Sequence, residues 1–349
     1  MATYKGINGT SVVNYAGDLP NAIDGQVWYD STNAAFKYQY PNVTTAGAWA
    51  TGGNLNTARG ALGSAGIQTS ALGFGGITAP TYNFAITESY NGSAWTEVAD
   101  LNTGRANMGG VGSSNTNALA FGGVWATGPA YYNNTETWNG SSWTEVANLN
   151  TTRALVASAG VDNTSALAAG GFSLPSTAHA QTESWNGTSW TEVADLNTGR
   201  RAFAGSNGTQ TSALVYGGDN DPPVYALTES WNGSSWTEVA DLNVAKLSGA
   251  GAGADNTSAL QFGGNNGVGA NVATTELWNG SAWAETTDLS TTRRNLAGTG
   301  TQAFALAFGG SPTTASTEEW TGPGQPIGAW STGANTNTAA SANRGAGTQ

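Results

Sequence analysis

A nearly identical phrase recurs along almost the whole chain, and this repetition limits the folds that the chain can adopt. One copy, at 182–200, reads TESWNGTSWTEVADLNTGR. Related copies end at Arg105, Arg153, Lys246 and Arg293. Because each copy should build the same supersecondary unit, the chain is expected to fold as an array of equivalent modules.

The second tryptophan of each phrase marks the repeat period. The markers are Trp49, Trp95, Trp143, Trp190, Trp236, Trp283 and Trp330. Adjacent markers are 46 to 48 positions apart, which is close to the period of four-stranded propeller blades. No segment shows sustained helical periodicity, and the many Gly, Thr, Ser and Asn residues oppose long helices. An all-β fold is therefore predicted.

Each repeat reads as four short strands, which we call a, b, c and d. In one unit they are a (Ala202–Gln210), b (Ser212–Tyr216), c (Thr228–Trp231) and d (Trp236–Ala240). Gly217-Gly218 closes strand b, and Asn232-Gly233 supplies the positive φ angles of a tight hairpin turn between c and d. Such a sheet cannot bury both of its faces alone. Radial stacking of the sheets is therefore predicted, with Trp and Tyr rings filling the space between blades.

The repeat resembles two groups of known proteins. The order of glycine pair, aromatic residue, Trp and Arg resembles the kelch repeat of the galactose oxidase and kelch propeller superfamily, over roughly residues 26–349. The wording WNGxxWTEVxxLNTxR is also similar to repeat-rich structural proteins of tailed phages, especially marine ones. The first resemblance implies a kelch-like β-propeller, and the second implies a component of a virion.

The two ends of the chain determine the predicted blade count. Near the N-terminus, Gln26–Asp30 reads as strand b, Phe36–Tyr40 as c and Ala48–Thr51 as d, while Ser341–Gln349 reads as a final strand a. We therefore predict seven four-stranded blades, the last closed by the C-terminal strand a against N-terminal strands b, c and d, which would remove two free edges. A six-bladed ring with both ends outside is the alternative.

The chain before the first repeat matches none of the later units. Residues 1–23 are polar, so we predict an N-terminal arm at 1–23 and a propeller at 24–349. The arm is either a loosely packed tail or a segment that docks the propeller onto a larger assembly. It has one Lys and no continuous apolar stretch, so it does not read as a secretory signal. The predicted location is a virion assembled in the host cytoplasm.

Composition removes several classes of partner and cofactor. The formal net charge of −12 and the pI near 4.3 disfavour nucleic acid as a partner. The absence of Cys excludes disulfides and thiolate metal sites. No apolar run is long enough to span a bilayer. The expected partners are other virion proteins or a host-surface glycan, and self-association is left open. Neither nucleic acid binding nor membrane insertion is expected.

Residues for catalysis are scarce. The copper site of the resembled oxidase needs Tyr, His and a thioether-linked Cys, but this chain has one His, His179, and no Cys. A zinc hydrolase site lacks its set of ligands, and a Ser–His–acid triad lacks a nucleophile elbow. His179 is therefore interpreted as a solvated loop residue. Asp219-Asn220-Asp221 offers hard oxygen ligands for Ca²⁺, although a plain turn before Pro222 is favoured. The prediction is no enzyme, no cofactor and no metal.

Charged and tryptophan residues that recur in register are assigned to the structure of the blades. They are Arg59, Arg105, Arg153, Arg200, Arg293 and Lys246, with Glu88, Glu136, Glu183, Glu229, Glu276 and Glu318, and Trp95, Trp143, Trp190, Trp236 and Trp283. Buried charges must be paired, so we expect these to pair with each other or with backbone. The alternative is a ring of ligand-binding arginines on one face.

Binding is expected where the repeats differ, in the b-to-c loops, which should share a face with the d-to-a turns. Aromatic residues of these loops are the candidate ligand-binding rim: Tyr82, Phe84, Trp125, Tyr131, Tyr132, Phe172 and Tyr225. Exposed aromatic side chains on a rigid scaffold suit sugar rings or a protein groove. The alternative is that they fold inward and cap the blade core.

These observations predict a non-enzymatic virion structural protein, either associated with the tail or fibre or lying on the capsid surface. It would present its variable loops to host glycans or to neighbouring virion proteins. A bacterial surface or secreted propeller that binds carbohydrate or acts as a scaffold is the alternative. A glycan-cleaving enzyme is a third class, and it would need a loop carboxylate such as Asp219 or Asp221.

Overall fold

The computed structural model describes residues 13–16, 27–32, 34–38, 46–78, 82–125, 130–175 and 178–325. Over these ranges the regular secondary structure is entirely β-strand. No helix in them is long and apolar enough to cross a membrane. The chain divides into two compact units, one made of Met1–Thr45 with Pro323–Gln349 and the other of Ala46–Gly322.

The first unit contains a small three-stranded sheet. Its strands are β1 (Val13–Tyr15), β2 (Val27–Asp30) and β3 (Ala35–Tyr38). β2 and β3 pair antiparallel, as the predicted b and c strands at this place require, while β1 lies parallel to β2. The described strands β2 and β3, which the sequence places in a seventh blade, belong to this unit.

The second unit is a β-propeller of six four-stranded blades. The chain enters it through β4 (Ala48–Thr51). Blade 1 contains β5 (Gly63–Ile67), β6 (Ser70–Phe74), β9 (Thr87–Tyr90) and β10 (Trp95–Val98), with the short pair β7 (Ile77–Thr78) and β8 (Tyr82–Asn83) in its b-to-c loop. Blade 2 contains β11 (Gly109–Ser114), β12 (Asn117–Phe121), β13 (Thr135–Trp138) and β14 (Trp143–Val146).

Blades 3 to 6 repeat this order of strands. Blade 3 contains β15 (Ala157–Asp162), β16 (Ser165–Ala169), β17 (Thr182–Trp185) and β18 (Trp190–Val193). Blade 4 contains β19 (Gly205–Thr209), β20 (Ser212–Tyr216), β21 (Thr228–Trp231) and β22 (Trp236–Val239). Blade 5 contains β23 (Ala250–Asp255), β24 (Ser258–Asn265), β25 (Asn271–Trp278) and β26 (Trp283–Glu285). Blade 6 contains β27 (Ala297–Gly300), β28 (Phe304–Phe308), β29 (Thr317–Thr321) and β4.

The prediction of seven blades is wrong, and the six-blade alternative is correct. β4 pairs antiparallel with β29, with Trp49 opposite Trp320, so the N-terminal strand d completes the blade whose strands a, b and c end the repeats. β4 therefore belongs to blade 6 and does not extend the β2–β3 hairpin. The predicted last strand, Ser341–Gln349, and the marker Trp330 lie outside the described residues.

The turns of each blade follow from their sequence. In blade 4, Asn232 Oδ1 accepts from the amides of Ser234 and Ser235, both at 2.9 Å, and Gly233 has a φ of 93°. This Asx turn forms the tight c–d hairpin. At the end of strand b, Gly217 has a φ of 64°, and a Cβ there would lie 2.5 Å from the Lys246 carbonyl oxygen. The glycine pair therefore lets the next turn approach closely.

Tryptophan side chains join adjacent blades in a complete ring. The indole nitrogen of each strand d tryptophan donates to a threonine hydroxyl on strand c of the preceding blade. The pairs are Trp49–Thr275, Trp95–Thr317, Trp143–Thr87, Trp190–Thr135, Trp236–Thr182 and Trp283–Thr228, at 3.0–3.2 Å. Trp49 makes the same kind of contact across the closure, at 3.2 Å, so these hydrogen bonds run around the whole ring.

A second ring, made of backbone, surrounds the propeller axis. Two positions before strand a, or three in blade 4, each blade has a residue with a left-handed φ between 48° and 58°: Ala61, Asn107, Leu155, Ala202, Ser248 and Asn295. Each of their amides donates to the carbonyl of its counterpart in the preceding blade, at 2.7–3.2 Å, and the six bonds close on themselves. A left-handed residue other than glycine costs about 1–2 kcal/mol. The inter-blade hydrogen bond offsets part of this cost at every position.

Candidate functional site

The recurring charges form buried ion pairs inside the blades. The basic residue at the end of each d-to-a turn contacts a glutamate of strand c in the blade it enters. This glutamate is the second residue of the strand in five blades and lies further along the longer strand β25 in blade 5. The pairs are Arg59–Glu88, Arg105–Glu136, Arg153–Glu183, Arg200–Glu229, Lys246–Glu276 and Arg293–Glu318, and each side chain is at most 5 % exposed. The predicted pairing is confirmed. The alternative, a ring of ligand-binding arginines, fails because these side chains do not reach the surface.

Each glutamate also holds the turn that carries its basic partner. In blade 4, Glu229 Oε1 accepts from Arg200 at 2.7 Å, while Oε2 accepts from the backbone amide and side chain of Asn197 at 2.7 and 2.8 Å. Burial lowers the pKa of Arg200, and the neighbouring Glu229 opposes that shift. The recurring Asn–Glu–Arg arrangement therefore fixes the d-to-a turns.

The b-to-c loops and the d-to-a turns share one face of the propeller, as predicted. We define the loop face as the b-to-c segments of the six blades: 75–86, 122–134, 170–181, 217–227, 266–270 and 309–316. In every blade a leucine amide in the d-to-a turn donates to a backbone carbonyl at 2.9–3.0 Å. The acceptor lies in the adjoining b-to-c segment in five blades and is Ala273, in strand β25, in blade 5. The donors are Leu55, Leu101, Leu149, Leu196, Leu242 and Leu289.

Three of the predicted rim aromatics occupy one repeated position. The amides of Phe84, Tyr132 and Tyr225 each donate to the second glycine of the pair that ends strand b, at 2.8–2.9 Å. All three side chains are half-buried. The loops differ in length, which hides this equivalence in the sequence.

Of the other rim residues, Trp125, Tyr131 and Phe172 lie on blades 2 and 3, and Tyr82 lies on blade 1. Tyr131 packs edge-on against Phe172, with ring centroids 5.7 Å apart. Trp125 is 39 % exposed, more than either of them. The Tyr82 side chain lies outside the described residues, although its backbone pairs with Thr78. The binding role of the rim stays a prediction, and Trp125 is the described member that presents most surface.

Sequence reasoning missed Arg201, which joins blades 3 and 4. Its guanidinium carbon lies 4.4 Å from the centre of the Phe172 ring. The same group contacts Asp219 at 3.1 Å and Asp221 at 3.0 Å. The available signal was the doublet Arg200-Arg201, because most repeats have a small or apolar residue at the second position.

The carboxylates of this loop form ion pairs with an arginine side chain. Asp219 and Asp221, considered above for Ca²⁺, both pair with Arg201. Among the residues that the structure describes, no group of three or more His, Asp or Glu side chains could hold a metal ion. The interpretation as a turn, in which Asn220 donates its amide to the Pro223 carbonyl at 3.1 Å, is the better one.

His179 is not the solvated residue that the sequence predicts. Its ring is half-buried, with Nε2 2.8 Å from Ser173 Oγ and Nδ1 3.0 Å from Gln181 Oε1. Burial lowers the pKa of His179, and the nearby Arg153 charge lowers it further. The loop folds back because the His179 amide also donates to the Gly171 carbonyl at 2.8 Å.

The connectivity of Ser173, His179 and Gln181 resembles a nucleophile, a base and an orienting group. Two features of the site oppose that role. Ser173 is only 8 % exposed, and the imidazolium that a base must form faces the positive charge of Arg153 without a carboxylate partner. We interpret the three residues as a hydrogen-bonded clamp on the blade 3 loop.

A cavity of about 450 Å³ lies along the propeller axis. Its walls are the six a strands, and no Asp, Glu, Lys, Arg or His side chain lines it. Some hydroxyl groups on the wall donate to backbone carbonyls of neighbouring blades, as Ser64 Oγ does to Gly298 at 2.8 Å and Ser158 Oγ to Gly110 at 3.1 Å. The axis therefore offers a neutral, narrow space, in contrast to the charged and aromatic loop face.

No protein-family model matches this chain, and no curated protein sequence matches it either. Its function is therefore inferred from the geometry of the loop face and the blades.

Proposed function

We propose that this chain is a non-enzymatic recognition scaffold, a kelch-type propeller that serves as a virion structural protein. In this role it is associated with a tail or fibre or lies on the capsid surface. Its loop face contacts a host-surface glycan or a neighbouring virion protein. The observation that carries the proposal is the contrast between blade contacts that recur without exception and loops that differ in every blade.

The recurring contacts support a scaffold role because they hold every loop at both ends. Strand b ends at a glycine pair bonded to the next turn, as where the Gly218 amide donates to the Lys246 carbonyl at 2.9 Å. Strand c begins at a glutamate tied to the turn by Arg or Lys. Loops anchored in this way vary without disturbing the blades, which is the usual arrangement of recognition surfaces.

The virion setting is supported by the wording of the repeat, which resembles repeat-rich structural proteins of tailed phages. A bacterial surface or secreted propeller that binds carbohydrate is the second candidate, and the exposed ring of Trp125 favours it equally. The two candidates share the loop face and differ in where the protein is found.

Immunogold electron microscopy on purified phage particles separates them. Antibody raised against the full chain should label intact particles at one defined place, on the tail or on the capsid. Label confined to bacterial cell surfaces would contradict the virion assignment and support the second candidate. Label on neither would contradict both, and the antibody's reaction with purified protein on the same grid is the positive control.

A further inference from the structure

We propose that the loop face of blades 2 to 4 binds a neutral glycan, with Trp125 as the stacking surface and Asp221 as an acceptor for sugar hydroxyls. This inference rests on the recognition function proposed above and specifies the class of ligand. It follows from three observations, which concern the available ring surface, the balance of charge and the polar groups beside it.

Trp125 is the aromatic surface available for stacking. Tyr131 and Phe172 contact each other edge-on, and the Arg201 guanidinium covers the Phe172 ring at 4.4 Å. Trp125 keeps 39 % of its surface exposed. The apolar face of a sugar ring packs on an exposed indole because both remove apolar area from water.

The charge balance of this region disfavours an anionic sugar. Arg201 is held by Asp219 and Asp221, so its charge is compensated twice. The repeat cations of the same blades, such as Arg153 and Arg200, are buried in their own ion pairs. A sialylated, sulfated or uronic acid residue would therefore meet negative charge with no uncompensated cation among the described residues of blades 2 to 4.

The polar groups beside this patch suit hydroxyl donors. The Asp221 side chain is 79 % exposed while one of its oxygens contacts Arg201, so the carboxylate is oriented and still accessible. A sugar hydroxyl donating to a carboxylate makes a charge-assisted hydrogen bond, which is stronger than a neutral one. The contacts from Tyr131 through Phe172 and Arg201 to Asp221 run across three blades, and the backbone of Val124, next to Trp125, pairs with Tyr131. The ligand is therefore an oligosaccharide and not a single sugar.

The test is an array of neutral and anionic oligosaccharides probed with the full chain, followed by calorimetry on each oligosaccharide that binds. We expect binding to neutral hexose or N-acetylhexosamine oligosaccharides, with affinity that changes little when NaCl is raised. Trp125→Ala should weaken binding at least about tenfold. Phe304→Ala is the matched control, because Phe304 is also 39 % exposed but lies at the a–b turn of blade 6, away from the loop face. This control should bind as the unmodified protein does.

The outcomes separate this inference from the proposed function. Binding confined to anionic glycans would overturn the neutral class and leave glycan recognition standing. Neutral binding unaffected by Trp125→Ala would overturn the site. No glycan binding, with loss of a virion-protein contact in Trp125→Ala, would replace the glycan by a protein partner. No binding of either kind would overturn the recognition function itself.

Discussion

Lys246 Nζ donates to Gln261 Oε1 at 2.8 Å, and this contact exists only in blade 5 among the described blades. The other five blades have Arg in place of Lys246 and a smaller residue in place of Gln261. Gln261 Nε2 also donates to the Gly263 carbonyl at 2.8 Å, which corresponds to the bond that Arg200 makes to Gly217 at 2.8 Å. Lysine and glutamine together therefore reproduce what one guanidinium does elsewhere.

The presence of Lys and Gln in blade 5, where the other blades have Arg and a smaller residue, predicts strong coupling between positions 246 and 261. Lys246→Arg alone should destabilise the fold by about 1–3 kcal/mol, because the guanidinium and Gln261 compete for one volume. Gln261→Ala alone removes an acceptor from a buried ammonium and opens a cavity. The double variant restores the pair found in the other blades and should be more stable than either single variant. Urea unfolding of the unmodified protein and the three variants measures the coupling. If the two single substitutions change the unfolding free energy additively, to within about 0.5 kcal/mol of the double variant, Lys246 and Gln261 do not act together in place of one arginine.

The buried ion pairs predict a large effect when one partner is removed. Arg200→Ala leaves Glu229 buried without its cation and should cost about 3–5 kcal/mol of unfolding free energy. Glu238→Gln is the control, because Glu238 is exposed on the adjacent strand d and its loss should change stability by no more than about 0.5 kcal/mol. Chemical denaturation measures both changes. Equal effects of the two substitutions would mean that the pair has no structural role.

The local structure of each blade was predictable, whereas its long-range closure was not. The predicted b and c strands of blade 4, Ser212–Tyr216 and Thr228–Trp231, match the structure residue for residue. Their signals are local, since a glycine pair or an Asn-Gly turn determines where a strand ends. Trp49 marks a strand d whether the ring has six blades or seven. The strand it pairs with, β29, lies at the other end of the repeats, far away in sequence. Sequence pattern alone does not distinguish those two pairings.

The candidate site was predictable only in outline. The shared face of the loops follows from propeller topology, and Trp125 was correctly placed among them. The equivalence of Phe84, Tyr132 and Tyr225 was hidden because unequal loop lengths shift the residues out of register. Arg201 acts through contacts with two neighbouring loops, and no pattern within its own repeat shows which side chains those loops bring to it.

His179 predicts a dependence of stability on pH. Burial and Arg153 lower its pKa in the folded protein, while the unfolded chain has the ordinary value of about 6.5. The unfolded state therefore binds the proton more strongly, so stability falls as the pH drops through about 6.5 and levels off below the folded pKa. His179→Gln cannot titrate in this range. The difference in melting temperature between the two proteins should shrink from pH 8 to pH 5, and a constant difference would show that His179 is not the titrating group.

The six-bladed closure predicts one specific cross-link. Ala50 on β4 lies directly opposite Glu319 on β29, and cross-strand Cα atoms about 4.5–5.5 Å apart suit a disulfide. Because the chain has no Cys, Ala50→Cys with Glu319→Cys provides two thiols in a clean background. Oxidation should form an intramolecular bridge and raise the melting temperature, as the bridge closes a loop that contains nearly all of the propeller. Ala50→Cys with Phe36→Cys is the control, since a hairpin that continued from β3 into β4 would bring those two positions closer than the first pair. Efficient cross-linking of the control pair and none of the first pair would restore a blade made of N-terminal strands.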